Sequence, residues 1–257
     1  MLTLSILGAG NVATHLFEAF SSSQDIRLLQ WFGRDKKHIE KYKDKVDVTE
    51  ELSDLKPADV YIVAISDDAI GPFSETLPFK NSLVAHTSGS VDINALDSKH
   101  RRGVFYPLQT LSRGKKTDFN NIPLCLEAEK KEDLDTLKTL AEAISQKIYE
   151  VNSEQRRSMH LAAVFVNNFV NHLYQIGSDI CHFNDLSFEI LQPLIEETSK
   201  KIKELPPYEA QTGPAKRGDA KTIEKQLYML ENSFPQYTEL YKTLTSSILS
   251  AHGGKKL

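Results

Sequence analysis

The sequence predicts an α/β protein: a doubly wound, mostly parallel sheet in residues 1–151, followed by an all-α C-terminal domain in residues 152–257. Three observations predict it. Short apolar runs alternate with helical stretches through the first half, as parallel strands joined by crossover helices require. A glycine-rich turn, Gly8-Ala9-Gly10, directly follows the first apolar run. After Val151 the apolar spacing is helical throughout, with no convincing strand.

The clearest strands are expected at Leu2–Leu7, Ile26–Phe32, 60–65 and 83–85, with weaker ones at 46–48, 104–105, 123–126 and 148–151. Residues 60–65 (VYIVAI) are continuously apolar, the pattern of a central strand buried on both faces. In the second half, long helices are expected over 159–183, 188–203, 219–233 and 236–250, with breaks at Gly177, around Asn184-Asp185 and across 205–218. The stretch 206–218 (PPYEAQTGPAKRG) is too polar and too rich in Pro and Gly for a core element. The tail, 253–257, is expected to fray.

The chain has 257 residues, 40% of them hydrophobic and 26% charged, the composition of a globular protein of one or two domains. A net charge of -4 gives no electrostatic reason to expect nucleic acid or an anionic membrane as partner. No apolar run approaches the length of a membrane span, and no basic segment precedes the first apolar run. Cys125 and Cys181 are far apart in apolar surroundings, which fits a reducing compartment and argues against a disulfide scaffold. A cytoplasmic protein is the expectation. The histidines, His86, His172 and His182 among them, have no metal-ligand spacing, so no metal site is expected.

Gly8, Ala9, Gly10, Asn11, Val12 and Ala13 place G-x-G-x-x-A between a strand and a helix. Gly8 permits a tight turn, Gly10 lets backbone approach a pyrophosphate, and Ala13 keeps helix and strand close. Free N–H groups at the helix start would then face the anion. In a dinucleotide site the second strand chooses the cofactor. Where an NAD site usually has a carboxylate for the ribose hydroxyls, this chain reads Gly33-Arg34-Asp35. Gly33 stands near the carboxylate position and Arg34 offers a forked donor to a 2′-phosphate, which points to NADP rather than NAD. Asp35 could serve a ribose or cap the following helix. Ser66 and Asp67, after the 60–65 strand, and Ser88, after the 83–85 strand, fall at carboxyl ends of strands and are further cofactor-binding candidates. The alternative for Asp67 or Asp68 is a helix N-cap, and for Ser88-Gly89 an ordinary turn.

Residues 159–169 (MHLAAVFVNNF) read as a buried helix that carries His160, Asn167 and Asn168 on one polar stripe. The functional reading places that stripe at a nicotinamide, with His160 exchanging a proton and an asparagine amide holding a substrate oxygen. The structural reading has His160 bonded to a neighbouring helix and the amides satisfying backbone groups. The loop 212–219 (TGPAKRGD) offers a second candidate: Gly213 and Gly218 allow tight geometry, Arg217 could clamp an anion, and Asp219 could cap the next helix. A plain interhelical loop explains the same residues.

The segments GAGNVATHL (8–16), AISDDAI (64–70), HTSGS (86–90), FYPLQT (105–110), HLAAVFVNNF (160–169) and TGPAKRGD (212–219) occur in order over nearly the whole chain. Together they resemble a family that joins a Rossmann-like domain to a helical domain of unknown function and whose members are labelled NADP oxidoreductases. More distantly the chain is similar to β-hydroxyacid dehydrogenases, pyrroline-5-carboxylate reductase, ketopantoate reductase and prephenate dehydrogenase. The resemblance implies a nicotinamide-dependent reductase whose helical domain forms a homodimer, and it leaves the substrate open. Two departures bear on chemistry. Where hydroxyacid dehydrogenases carry a catalytic lysine three residues before an Asn-Asn pair, this chain has Val164, and His160 one turn earlier is the natural substitute. Where prephenate dehydrogenases have His-Pro after the fifth strand, this chain has Tyr106-Pro107.

The sequence therefore reads as an NADP-dependent oxidoreductase acting on a small carbonyl, imine or hydroxy-acid substrate in the interdomain cleft. His160, Asn167, Asn168 and Tyr106 are its candidate catalytic residues. The alternative is a dinucleotide-binding sensor or scaffold without catalysis, which Val164 favours.

Overall fold

The computed structural model describes residues 1–253, so the expectation for the tail beyond Gly253 lies outside the described residues. The chain forms two compact units, Met1–Val164 and Phe165–Leu257. The first unit thus runs past Val151 and takes in the helix Ser153–Ala163, whose first turn is bonded to the sheet.

The first unit is built on eight strands: β1 (Leu2–Leu7), β2 (Ile26–Phe32), β3 (Asp47–Thr49), β4 (Val60–Val63), β5 (Leu83–His86), β6 (Arg101–Pro107), β7 (Leu124–Ala128) and β8 (Ile148–Glu150). Their order is β3-β2-β1-β4-β5-β6-β7-β8. All neighbours are parallel except β6 and β7, so β7 and β8 run against the other six. Four helices accompany the sheet: α1 (Asn11–Phe20), α2 (Ile70–Thr76), α3 (Lys131–Glu142) and α4 (Ser153–Ala163).

The strand sequences explain the layering. Successive side chains face opposite sides, and here both sides are covered. Leu4, Ile6, Val60, Ile62, Leu83 and Ala85 enter one core with Leu16, Phe17 and Phe20 of α1 and Leu137 and Leu140 of α3. Leu7, Tyr61, Val63 and Val84 enter the other with Ile70. That is why VYIV shows no polar alternation: every residue of β4 is buried. The strand itself stops at Val63, two residues before the apolar run ends.

The second unit is helical among its described residues: α5 (Val170–Phe183), α6 (Gln192–Lys201), the short turns α7 (Pro207–Ala210) and α8 (Pro214–Arg217), α9 (Ala220–Ser233) and α10 (Thr238–Ala251). Gly177 does not break a helix; it lies inside α5, where an added Cβ would meet Phe188 only at 3.5 Å. The loop 206–218 is also more ordered than its composition suggests, since Pro207 and Pro214 each start a helical turn. Residues Val164–Phe169 form a π-helical turn.

Candidate active site

β1 delivers the chain to Gly8 with φ +128°, a conformation natural only to glycine. A Cβ there would stand 2.1 Å from the Ala64 carbonyl oxygen, so the turn can lie against β4 only without a side chain. Two bonds from β2 secure it: Gly8 N donates to Phe32 O at 2.9 Å, and the buried Trp31 indole donates to Gly8 O at 2.6 Å. Gly10 is the N-cap of α1. Apart from its own chain neighbours, no atom lies within 4 Å of where its Cβ would be, no side chain caps the helix, and no acidic residue occupies its first turn. The turn therefore leaves the free N–H groups of the helix start and an open space in which an anion could be held. A groove of about 1840 Å³ opens from Ala9, Gly10 and Asn11 and carries His38 and Lys41 on its wall.

At the end of β2, a Cβ on Gly33 would press on Ala9 Cβ at 3.1 Å and Ile39 at 3.3 Å, so this glycine lets the two turns pack together. Arg34 is exposed beside it. Asp35 accepts from the Lys37 N–H at 3.0 Å and so opens the short helix Lys36–His38. One oxygen of the exposed carboxylate makes this capping bond.

The second feature lies at the carboxyl end of β6. Tyr106 Oη is 3.1 Å from Nδ1 of His160 on α4, the two rings set edge-on with centroids 6.2 Å apart. Both rest on Gly89. A Cβ at that position would stand 2.6 Å from His160 Nδ1 and 2.8 Å from Tyr106 Cζ. Gly89 is thus required by close approach, a role no local sequence signal announced. Burial pushes the Tyr106 phenol up to about 12, so it keeps its proton and is a donor. Where that hydroxyl donates to Nδ1, His160 takes the tautomer with hydrogen on Nε2.

Two inert groups flank this pair. Cys125 stands opposite Tyr106 across the β6–β7 ladder, and burial raises its thiol to about 11. His86 is fully buried; desolvation first, and the Arg156 charge second, lower it to about 4. Its Nδ1 accepts from the Ser88 N–H at 3.2 Å, which makes it a neutral structural histidine.

The turns after β4 and β5 are tied to each other. Asp67 accepts from Ser90 Oγ at 2.5 Å, and Ser88 Oγ accepts from the N–H groups of Ser90 and Val91, both at 3.1 Å. Asp67 and Ser88 thus spend these side chains on loop structure. Neither Asp67 nor Asp68 is an N-cap: that position belongs to Ser66, whose side chain makes no capping bond.

The stripe on residues 159–169 is not buried. Leu161, Phe165, Val166 and Phe169 are 60%, 60%, 74% and 50% exposed, and Asn167 and Asn168 are exposed with them. The π-helical turn also changes the period on which the stripe was drawn. His160, half-buried, belongs to the first unit, whereas Asn167 and Asn168 belong to the second. In the 212–219 loop, Gly213 and Gly218 adopt φ +102° and +66°, and Asp219 caps α9 by accepting from Thr222 N at 3.1 Å. Arg217 is exposed.

Residues 122–248 match the family model described as "Domain of unknown function (DUF2520)". No curated protein sequence matches significantly. Among solved structures, the chain is similar to the "putative NADP oxidoreductase BF3122 from Bacteroides fragilis" at 36% identity, covering 97% of this chain and 98% of that one with a TM-score of 0.86. Protein TM1727 from Thermotoga maritima is 22% identical with a TM-score of 0.81, covering 98% and 100% of the two chains. A 1-pyrroline-5-carboxylate reductase from Streptococcus pyogenes shares the fold at 12% identity and a TM-score of 0.64, with 98% of each chain covered. The sheet, the glycine turn and the match along nearly its whole length to the Bacteroides protein show that this chain belongs to the DUF2520 family of Rossmann-fold, oxidoreductase-like proteins.

Proposed function

We propose that this protein is an NADP-dependent oxidoreductase acting on a small carbonyl, imine or hydroxy-acid substrate. One observation carries the reading: the Gly8–Gly10 cradle and the Tyr106–His160 pair lie at the carboxyl ends of parallel strands of one sheet, where ligands of open α/β folds bind. The named relatives support the nicotinamide chemistry; the Bacteroides protein's title carries NADP.

The turn from Gly8 to Val12 would hold the pyrophosphate, and Gly33 and Arg34 the end of the adenosine that bears the 2′-phosphate. Arg34, exposed beside Gly33, would set the preference. Bound NADP supplies or accepts the hydride. The remaining chemistry is a proton, and His160 Nε2 exchanges it with the substrate oxygen or nitrogen. Tyr106 holds the imidazole from the opposite nitrogen. The two free, buried thiols suit a reducing, cytoplasmic location. We also propose a homodimer formed through the helical unit, where Phe165, Val166, Ile190 and Leu194 are at least 60% exposed. A monomer in solution at micromolar concentration would remove the dimer.

The experiment is an oxidation screen of NADPH and NADH against small oxo-acids and cyclic imines. The proposal expects turnover with NADPH for at least one class. Tight NADPH binding with no oxidation across the panel supports the alternative that Val164 favours, a dinucleotide sensor or scaffold.

A further inference from the structure

Arg156 is fully buried, one turn before His160 on α4. Its Nη1 pairs with Glu127 Oε2 of β7, and its Nη2 donates to Val91 O at 2.5 Å and to Ser153 Oγ at 3.1 Å. Ser153 in turn donates its N–H to Glu127 Oε1 at 3.0 Å, and its hydroxyl lies 2.9 Å from Glu127 Oε2. The Ile93 N–H closes the cluster on Ser153 Oγ at 3.0 Å.

Three pieces of chain meet here. Glu127 belongs to the strand beside Tyr106, Val91 and Ile93 to the stretch after β5 that also carries Gly89, and Ser153 and Arg156 to the helix of His160. These same pieces form the wall, the floor and the imidazole of the site. Stability alone is a poor account of the cluster, because withdrawing two charges from water costs about as much as their attraction returns, and apolar replacements are often as stable. Fixing the helix register is the better account. The ring has little room to shift, since a Cβ on Gly89 would stand 2.6 Å from His160 Nδ1.

We propose that the cluster of Glu127, Arg156 and Ser153 positions His160, holding its ring on Tyr106 in the tautomer that presents Nε2–H outward. The inference rests on the reading of His160 as the proton-exchanging group, yet its test needs no substrate. Imidazole ¹⁵N spectra of the full chain at pH 8, with His160→Gln as assignment control, read the two ring nitrogens directly. The wild type should show an unprotonated Nδ1 and a protonated Nε2. Arg156→Lys and Ser153→Ala should each move the tautomer ratio by about fivefold towards Nδ1–H, as Tyr106→Phe does by removing the donor. Should Arg156→Lys fail to fold, Ser153→Ala, which removes one hydroxyl, decides. A wild-type ratio in Ser153→Ala together with a lowered Tm would show a cluster that only holds the fold, and a wild type protonated on Nδ1 would overturn the geometry itself. NADP binding, measured on the same samples, is a separate readout: its absence in the wild type would sink the proposed function and leave the tautomer result standing.

Discussion

Trp31 donates its indole N–H to the carbonyl of Gly8 at 2.6 Å, so the glycine turn is fastened from behind by the second strand. The ring is fully buried and stacked on Phe17 at 4.5 Å. Trp31→Phe keeps most of the stacking and removes the bond. A hydrogen bond of this kind contributes about 1 kcal/mol, so dinucleotide affinity should fall roughly fivefold by calorimetry. Unchanged affinity would mean that the turn holds its shape without the indole.

The two glycines of the turn should fail differently. At Gly8 a side chain meets the Ala64 carbonyl and an unfavourable φ, so Gly8→Ala should cost more than about 3 kcal/mol of stability. At Gly10 nothing lies in the way, so Gly10→Val should change stability by less than about 1 kcal/mol. It should nevertheless abolish dinucleotide binding. Denaturant unfolding and binding isotherms on both variants check the contrast, and bound dinucleotide in Gly10→Val would refute the cradle.

Arg34 is expected to discriminate between cofactors. A charge-assisted bond to a 2′-phosphate contributes about 1.5–3 kcal/mol. Arg34→Ala should therefore weaken NADP by roughly 10- to 100-fold while NAD changes by less than about threefold. Equal losses would make Arg34 ordinary surface.

His86 predicts an acid limb of stability. Burial holds its folded-state value at about 4, against an ordinary 6.5 in the unfolded chain. Between those values the unfolded state binds the extra proton, so stability falls as pH drops through 6.5 and levels off below about 4. The loss is on the order of 3 kcal/mol for a fully buried ring. Urea unfolding at pH 7.5, 5.5 and 4.5 should show it, and His86→Gln should flatten the slope. An equally steep slope in that variant would assign the limb to other groups.

Much of the fold was legible because parallel strands buried on both faces must be apolar without alternation: β1 and β2 have the bounds read from sequence. The glycine turn was legible for the same local reason, since Gly8 and Gly10 answer to backbone geometry near in sequence. What escaped the sequence depends on remote contacts. Gly89 looks like a turn residue until His160 and Tyr106 arrive over it from 71 and 17 positions away. Arg156 gives no sequence signal of burial; Glu127, Val91 and Ser153 supply its partners in the fold. The 159–169 stretch erred in the other direction. Its apolar spacing predicts a buried face, yet Leu161, Phe165, Val166 and Phe169 are exposed.

The reversal at β7 has a consequence for how the site is reached. β6 climbs to Tyr106, and β7 descends from Leu124, opposite Pro107, to Ala128, opposite Gly103. β8 descends beside it, pairing Glu150 with Leu126. The chain therefore leaves the sheet low, with Ser153 bonded to Glu127, and α4 ascends from there until His160 meets Tyr106. Had the last two strands kept the direction of the other six, the chain would emerge at the rim. Its next helix would travel downward and carry the imidazole to the opposite edge. A single antiparallel pairing, which runs through Tyr106 itself, thus serves as the elevator that brings a residue from beyond the sheet back to the rim where the cradle waits.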